Sequence, residues 1–435
     1  MGHIPEKQVK TDMAQARNLS YIFVRYRRNN TMKNCFKSAD ILLPKDDETA
    51  KLWPVVACDQ FTSQRDYWEK AAQLVGDKPS ALNIVFPEVY LQDGFDRIAS
   101  IQRHIQEYLS AGVLTERVHD GYVLVERITQ SGARIGLVGM VDLDCYDYTP
   151  ESKAVIRATE GTVIERIPPR VKIREGAELE SPHIMLLLDD KERELIEPLY
   201  AMREKLEKLY DLELMLGGGH LRGYAVTGEL ARGVDRIIAK QQGENELYLA
   251  VGDGNHSLAT AKTCWEKLKP TLSEAERESH PARYALAELV NLHCPALNFE
   301  PIHRVLFNVN FKELCREFMS YAKCAEGDDI VFIQGNERIG VKLTDSGDRL
   351  PVDVLQQFLD KYLKEHKETE IDYVHGTAAV EELSKPEGNC GIALKAMDKN
   401  DLFPAIIAGG VLPRKTFSMG EAEEKRYYME CRKIR

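Results

Sequence analysis

The sequence predicts an α+β protein built from mixed sheets with interleaved helices. Three observations carry this. Strand-like and helix-like segments alternate along the chain without the strict rhythm of a doubly wound fold. Two strand-like stretches, Tyr122–Ile128 and Arg134–Leu143, flank Gln130, Ser131 and Gly132, the mark of an antiparallel hairpin. The 435 residues are 43% hydrophobic and 29% charged, ordinary for a globular chain long enough for two or three domains.

The elements follow in order. Ile41–Leu43 and Val55–Ala57 read as short strands. Asp66–Val75 reads as a helix and Ala81–Phe86 as an apolar run. Phe95, Ile98, Ile101, Ile105 and Tyr108 recur at helical spacing, with Gly112 as the stop. After the hairpin, Thr149–Ser181 is polar, carries Pro168 and Pro169, and reads as a long loop region or as strands with irregular edges. His183–Leu188 reads as a strand, Lys191–Tyr210 as a charged amphipathic helix, and Gly217–His220 as a glycine-rich turn. Gly228–Gln241 is helical and leads to a strand at Leu247–Val251. From Ser257 a helix follows, with Leu258, Ala261, Trp265 and Leu268 on one face. Arg283–Leu292 is an apolar strand or a short helix. Beyond residue 308 the pattern repeats on a smaller scale: helix 311–321, strands 330–333 and 338–343, helix 352–363. The expected division is residues 1–31 as a basic, disordered extension, 32–308 as the main domain and 309–435 as a smaller α+β lobe.

Composition narrows the function. The net charge of -11 argues against a nucleic-acid partner. No apolar run approaches the ~18 residues of a membrane span. The nine cysteines are scattered and form no CxxC pair, which favours a reducing cytoplasm over a zinc ribbon or a disulfide framework. Cys58 reads as a small buried residue. Residues 1–31 hold six basic residues against two acidic ones, and read as an upstream extension.

The most informative stretch is Gly252-Asp253-Gly254-Asn255-His256, where a strand hands over to a helix. The first amides of a helix lack partners and carry the positive end of its dipole, so such a turn accepts an anion. Asp253 and His256 add an acid and an imidazole. The plain alternative is an ordinary turn with a helix cap at Asn255. Arg157-Ala-Thr159-Glu160-Gly-Thr162 offers a cation matched to phosphate or carboxylate and a carboxylate suited to general-base work; a solvated charged loop is its alternative. Gly217-Gly-Gly-His220-Leu-Arg222 permits close backbone approach to a ligand or is merely flexible. His303-Arg304, Tyr373-Val-His375-Gly376 and Pro413-Arg-Lys-Thr-Phe-Ser-Met-Gly420 add histidines, cations and hydroxyls. Walker A, HExxH, GxSxG and protein-kinase motifs are absent, and the dinucleotide fingerprint fails for want of its third small residue.

Several of these segments together resemble the bacterial domain-of-unknown-function 1015 family, from about Ala39 onward. They are Trp53–Ser63, Pro87-Glu-Val-Tyr90, Arg157–Thr162, the Gly-Asp-Gly-Asn-His turn, Phe299–Arg304 and Pro413–Gly420. The commoner family turn reads Asp-Gly-His-His-Arg; here Asn255 and Ser257 depart from it. The missing arginine implies another cation, such as Arg157, Arg222 or Arg304. That commoner turn is similar to one in the ParB, sulfiredoxin and free-serine kinase superfamily, where it meets nucleotide phosphates. The resemblance implies a ParB/sulfiredoxin-like core and a transferase acting on a phosphorylated or free serine-like metabolite.

The expectation is therefore a cytoplasmic enzyme of phosphoryl transfer or phosphate-ester chemistry, a small-molecule kinase or phosphatase using Mg2+ and ATP or ADP. Glu160, Asp253 and His256 are its expected catalytic residues, with Asp253 also holding the metal. Arg157, Thr159, Gly252, Gly254, Asn255, His220, His303 and Arg304 are expected to bind phosphate or substrate. Two alternatives stand beside it: a nucleotide-sensing module without catalysis, and a metal-dependent hydrolase built on His220, His256, His303 and His375.

Overall fold

The central strands of the first sheet are buried on both faces. A computed structural model describes residues 33–94, 97–162, 164, 167–345 and 349–435. The extension 1–31 and Phe95 lie outside the described residues. The strands are β1 (Phe36–Lys37), β2 (Ala39–Pro44), β3 (Leu114–Thr129), β4 (Gly132–Asp142), β5 (Tyr146–Asp147), β6 (Ile156–Ala158), β7 (Leu179–Glu180), β8 (Met185–Leu188), β9 (Lys208–Glu213), β10 (His220–Val226), β11 (Leu249–Asp253) and β12 (Tyr284–Asn291). All but β7 form one mixed sheet in the order β5-β6-β11-β8-β12-β4-β3-β10-β9, with β1 on β4 and β2 on β3. The β5/β6, β6/β11 and β8/β12 pairs are parallel; the others are antiparallel. The expected hairpin is β3–β4, with Thr129 opposite Gly132.

Side-chain alternation along β3 divides the core in two, because successive residues face opposite sides of a sheet. Val123 and Val125 pack with Trp53 and Trp68 on one face. Tyr122 and Leu124 pack with Trp265 and Leu258 on the other.

The second sheet contains β13 (Phe299–Phe307), β14 (Cys324–Gln334), β15 (Glu337–Leu343), β16 (Glu370–His375), β17 (Asn389–Leu394) and β18 (Phe417–Met419). Its order is β15-β14-β17-β13-β16, with β18 on the first residues of β13. Helices Phe311–Tyr321 and Pro351–Glu365 cover it and share a core with Leu306, Phe332 and Ile392. A further cluster joins the sheets: Leu187, Ala250 and Val290 of the first pack with Phe299, Phe417 and Met419 of the second.

Three expectations are corrected. Lys191–Tyr210 is not one helix: a helix spans Ile196–Ala201, and the chain then enters β9. Leu195, Leu199, Met202 and Leu206 do recur at helical spacing, but pairing with the edge of β10 takes Lys208–Tyr210 into a strand. Thr149–Ser181 is also more than a loop or a run of irregular strands. It contains the buried β6 and a helix at Ile167–Arg174. Pro168 and Pro169 fall in that helix's first turn, where no amide donor is needed. Val55–Ala57 forms no strand, only a bridge from Val56 to Tyr427.

Candidate functional site

A single cleft of about 940 Å³ gathers chemistry from both sheets. Its first wall is the turn after β11. The strand register slips between Val251 and Asp253, a bulge centred on Gly252. A side chain at Gly252 would meet Leu187 Cγ at 2.8 Å and Met419 Cε at 3.0 Å, so only glycine fits without movement. Gly254 adopts φ +76 and lies against Ile184, whose Cα would be 3.0 Å from an added Cβ. The helix Asn255–Leu268 starts there. Its cap is Gly254, not Asn255, so the helix start carries no capping side chain. A helix start of this kind suits an anion. Asn255 lines the cleft, and its Oδ1 is buried without a hydrogen-bond partner.

Glu160 faces this turn from the next strand. β6 runs parallel to β11 with Ala158 opposite Val251, so both strands deliver their C-terminal ends to one edge. Thr159 is buried and its hydroxyl donates to the Val251 carbonyl at 2.7 Å, locking the two strand ends together. Glu160 follows and bridges Leu412. Burial pushes its carboxyl up to about 7. The charge of Lys415 and a hydrogen bond from the Lys415 amide oppose that rise, and Asp253 adds to it. Lys415 holds the left-handed φ of 61, uncommon for a side chain other than glycine.

The remaining charge is distributed around these two elements. Asp253 Oδ1 accepts the Gly254 amide at 2.8 Å, and Oδ2 lies 3.5 Å from Lys425. Asp59 lines the cleft and pairs with the buried His183 at 3.5 Å. Burial works against both charges of that pair. The mutual attraction nevertheless holds the Asp59 carboxyl well below the usual range and raises the His183 imidazole. Glu88 pairs with Arg170, and both line the cleft with His256, Arg414 and Lys415.

The second sheet supplies the other wall. Ile302 opposite His375 and Arg304 opposite Tyr373 are cross-strand pairs of β13 and β16. Ile302, Tyr373 and His375 line the cleft with Phe417 and Met419. Arg304 is fully buried, lies 5.2 Å from the centre of the Tyr373 ring and bonds the Ile302 carbonyl and Gln356. Burial pulls its guanidinium down to about 10.

Of the residues singled out in the sequence, the cleft brings together Thr159, Glu160, Gly252, Asp253, Gly254, Asn255 and His256. Five others lie off its lining. Arg157 is buried and bonds the Ala154 carbonyl and Glu246. His220 sits between Asp211 and Glu213 at 2.6 Å each, beside the edge strand β9 at the opposite end of the sheet. His303 faces away and accepts the Leu394 amide at Nδ1, 3.1 Å. Arg304 stands behind Tyr373. Arg222 bonds Glu126 and Asp211. The cations at the cleft are instead Arg170, Arg414, Lys415 and Lys425. Arg414 and Lys415 were visible as a basic pair; Arg170 and Lys425 carried no local signal. Asp59 and Glu88 lay within segments noted only for their resemblance. Cys58 is a poor nucleophile, because burial pushes its thiol up to about 12.

A resident magnesium on Asp253 does not fit. One carboxylate oxygen holds the turn and the other faces the Lys425 ammonium. Among the described residues, the one group of three side chains close enough to share an ion is Asp40, Glu116 and His119, exposed and outside the cleft. Among the same residues, no helix is long and apolar enough to cross a membrane.

The family model for proteins of unknown function, DUF1015, matches residues 39–362. The chain belongs to this family. The family match spans β2 to the Pro351–Glu365 helix, so the Arg414–Lys425 contribution to the cleft lies beyond it. No curated protein matches the chain. Among solved structures, a free serine kinase mutant in complex with ADP aligns at TM-score 0.37 and 10% identity, covering 68% of this chain and 91% of that one. SbnI with a C-terminal truncation, from Staphylococcus aureus, aligns at 0.36 and 8%, covering 65% and 82%. A conserved hypothetical protein from Pyrococcus furiosus aligns at 0.33 and 11%, covering 65% and 89%. The reading of the cleft therefore rests on this chain's own residues.

Proposed function

We propose that this cleft carries out phosphoryl transfer between a nucleotide and the hydroxyl of a small serine-like metabolite. The observation that carries the reading is Glu160: a carboxyl raised to about 7 beside an uncapped helix start and the Lys415 and Lys425 cations. A group with that affinity exchanges protons readily at neutral pH, which is what a general base must do. The start of the Asn255–Leu268 helix, with Lys415 and Lys425, holds the phosphate. Glu160 takes the proton of the attacking hydroxyl as its oxygen bonds to phosphorus and the bond to the leaving phosphate oxygen breaks. Arg414 and the helix dipole offset the charge that develops, the usual protein contribution to this chemistry. Asp253 orients the turn through the Gly254 amide and fixes Lys425. Magnesium enters with the nucleotide as part of the substrate.

A sensor without catalysis has no use for a carboxyl balanced near neutrality, so the catalytic reading is preferred. A hydrolase built on four histidines lacks its ligand set, because His220 and His303 do not line the cleft. The test is incubation with ATP or ADP, magnesium and serine, and separately with phosphoserine. Product formation abolished by Glu160→Gln is expected. Absence of turnover together with absence of thermal protection by every one of these compounds would sink the reading.

A further inference from the structure

The two walls of the cleft differ in chemistry. The first-sheet wall is charged: Asp59, Glu88, Glu160, Asp253, Arg170 and Lys425. The second-sheet wall carries an apolar and aromatic patch, Ile302, Tyr373, Phe417 and Met419, with His375 and Ser418 beside it. A cleft of about 940 Å³ exceeds what a phosphate and a small hydroxy compound fill. The apolar wall therefore needs an occupant of its own.

Tyr373 is placed to receive it. It stands on β16, the edge strand of its sheet, and is half-buried in the cleft wall. Its cross-strand partner Arg304 supports the ring with a guanidinium 5.2 Å from the ring centre. Arg304 is itself anchored by the Ile302 carbonyl and Gln356, and its Nε has no hydrogen-bond partner. A surface aromatic ring ordinarily turns between rotamers; this one is fixed by a buried cation. Ile302 belongs to the same wall, and Phe417 is held by stacking on Phe299 at 4.3 Å. A cation against an aromatic ring also draws its electron density, which favours stacking on an electron-rich heteroaromatic ring.

We propose that Tyr373 is the stacking platform for the base of a purine nucleotide whose phosphates lie at the start of the Asn255–Leu268 helix. This rests on the phosphate reading of the first wall and adds the ligand's other end. The second sheet thereby selects the nucleotide, while the first sheet performs the chemistry.

The test compares ADP with inorganic pyrophosphate by calorimetry on the full chain. Pyrophosphate shares the phosphates and lacks the base. The parent is expected to bind ADP at least about tenfold more tightly than pyrophosphate, the scale of one stacked base. Tyr373→Ala is expected to remove that advantage and leave pyrophosphate affinity within about twofold. Tyr373→Phe keeps the ring and is expected to retain the advantage, which separates stacking from the hydroxyl and from misfolding. An unchanged ADP-to-pyrophosphate ratio in Tyr373→Ala overturns the assignment while the phosphate site stands. If the parent binds neither compound, the phosphate reading falls and the platform with it.

Discussion

His183 and Asp59 form an ion pair at the wall of the cleft, with Nε2 to Oδ2 at 3.5 Å. The imidazole's other nitrogen lies 2.8 Å from the Tyr428 hydroxyl, which also accepts the Cys58 amide. Three distant segments thus meet at one buried ring. The attraction raises the His183 imidazole and lowers the Asp59 carboxyl. A raised histidine contributes stability that is complete below its ordinary value of about 6.5 and is lost as pH climbs through the raised value. A lowered aspartate contributes stability present above about 3.9 and lost on acidification through its lowered value. Asp59→Asn is therefore expected to destabilise most between about pH 4 and pH 6.5, by on the order of 1–3 kcal/mol, and less at pH 9. Denaturant unfolding across pH measures this. A deficit that does not change with pH would contradict it.

Glu160 behaves in the opposite sense. Its carboxyl is raised to about 7, so in the folded state it resists ionisation that the unfolded chain accepts near 4.5. Between those values the folded protein binds more protons than the unfolded one, and stability falls as pH rises. Glu160→Gln is expected to abolish turnover yet stabilise the protein at pH 8 relative to pH 4.5, by on the order of 1–3 kcal/mol. A gain in thermal midpoint at pH 8 that vanishes at pH 4.5 is the signature. Equal midpoints at both would show that Glu160 ionises freely.

Much of this site was legible because it is local. A strand, a Gly-Asp-Gly turn and a helix leave their periods and breakers in consecutive residues. Glu160 was legible through its setting beside Thr159 and Gly161. Long-range partners were not. Asp59 meets His183 across 124 residues, and Lys425 reaches Asp253 from near the end of the chain. Nothing in a window around either residue encodes such a meeting. Arg157 misled for a related reason: arginine suits a phosphate as well as a glutamate, and Glu246 reaches it. The helix drawn over Lys191–Tyr210 failed at its end because strand pairing to β10 claims Lys208–Tyr210.

Gly254 tests whether the turn's geometry is required. Its φ of +76 disfavours a side chain, and a Cβ would approach the Ile184 Cα to 3.0 Å. Gly254→Ala is expected to cost about 1–2 kcal/mol of stability and to tilt the helix start away from β8. Pyrophosphate affinity should fall with it, because the amides of residues 255–257 move together. Calorimetry and thermal unfolding on the same sample check both. Full pyrophosphate affinity in a destabilised variant would separate the turn from the anion site.

Lys425 and Arg426 are neighbours with opposite duties, and their substitutions should part accordingly. Arg426 is buried and bonds Glu288 at 2.9 Å and Glu430 at 2.6 Å. Arg426→Leu strands two buried carboxylates, so a loss of about 3–5 kcal/mol is expected. Arg134, 3.8 Å from Glu288, is the nearest cation left to relieve one of them. Lys425 instead faces Asp253 at the cleft. Lys425→Met keeps the aliphatic stem and removes only the charge, so its stability cost should stay near 1 kcal/mol. Pyrophosphate affinity should nevertheless drop about tenfold, the scale of one charge-assisted bond. If the Lys425 variant unfolds as readily as the Arg426 variant, the ammonium is a structural counter-ion. If it stays folded and loses the anion, Lys425 is a binding cation of the cleft.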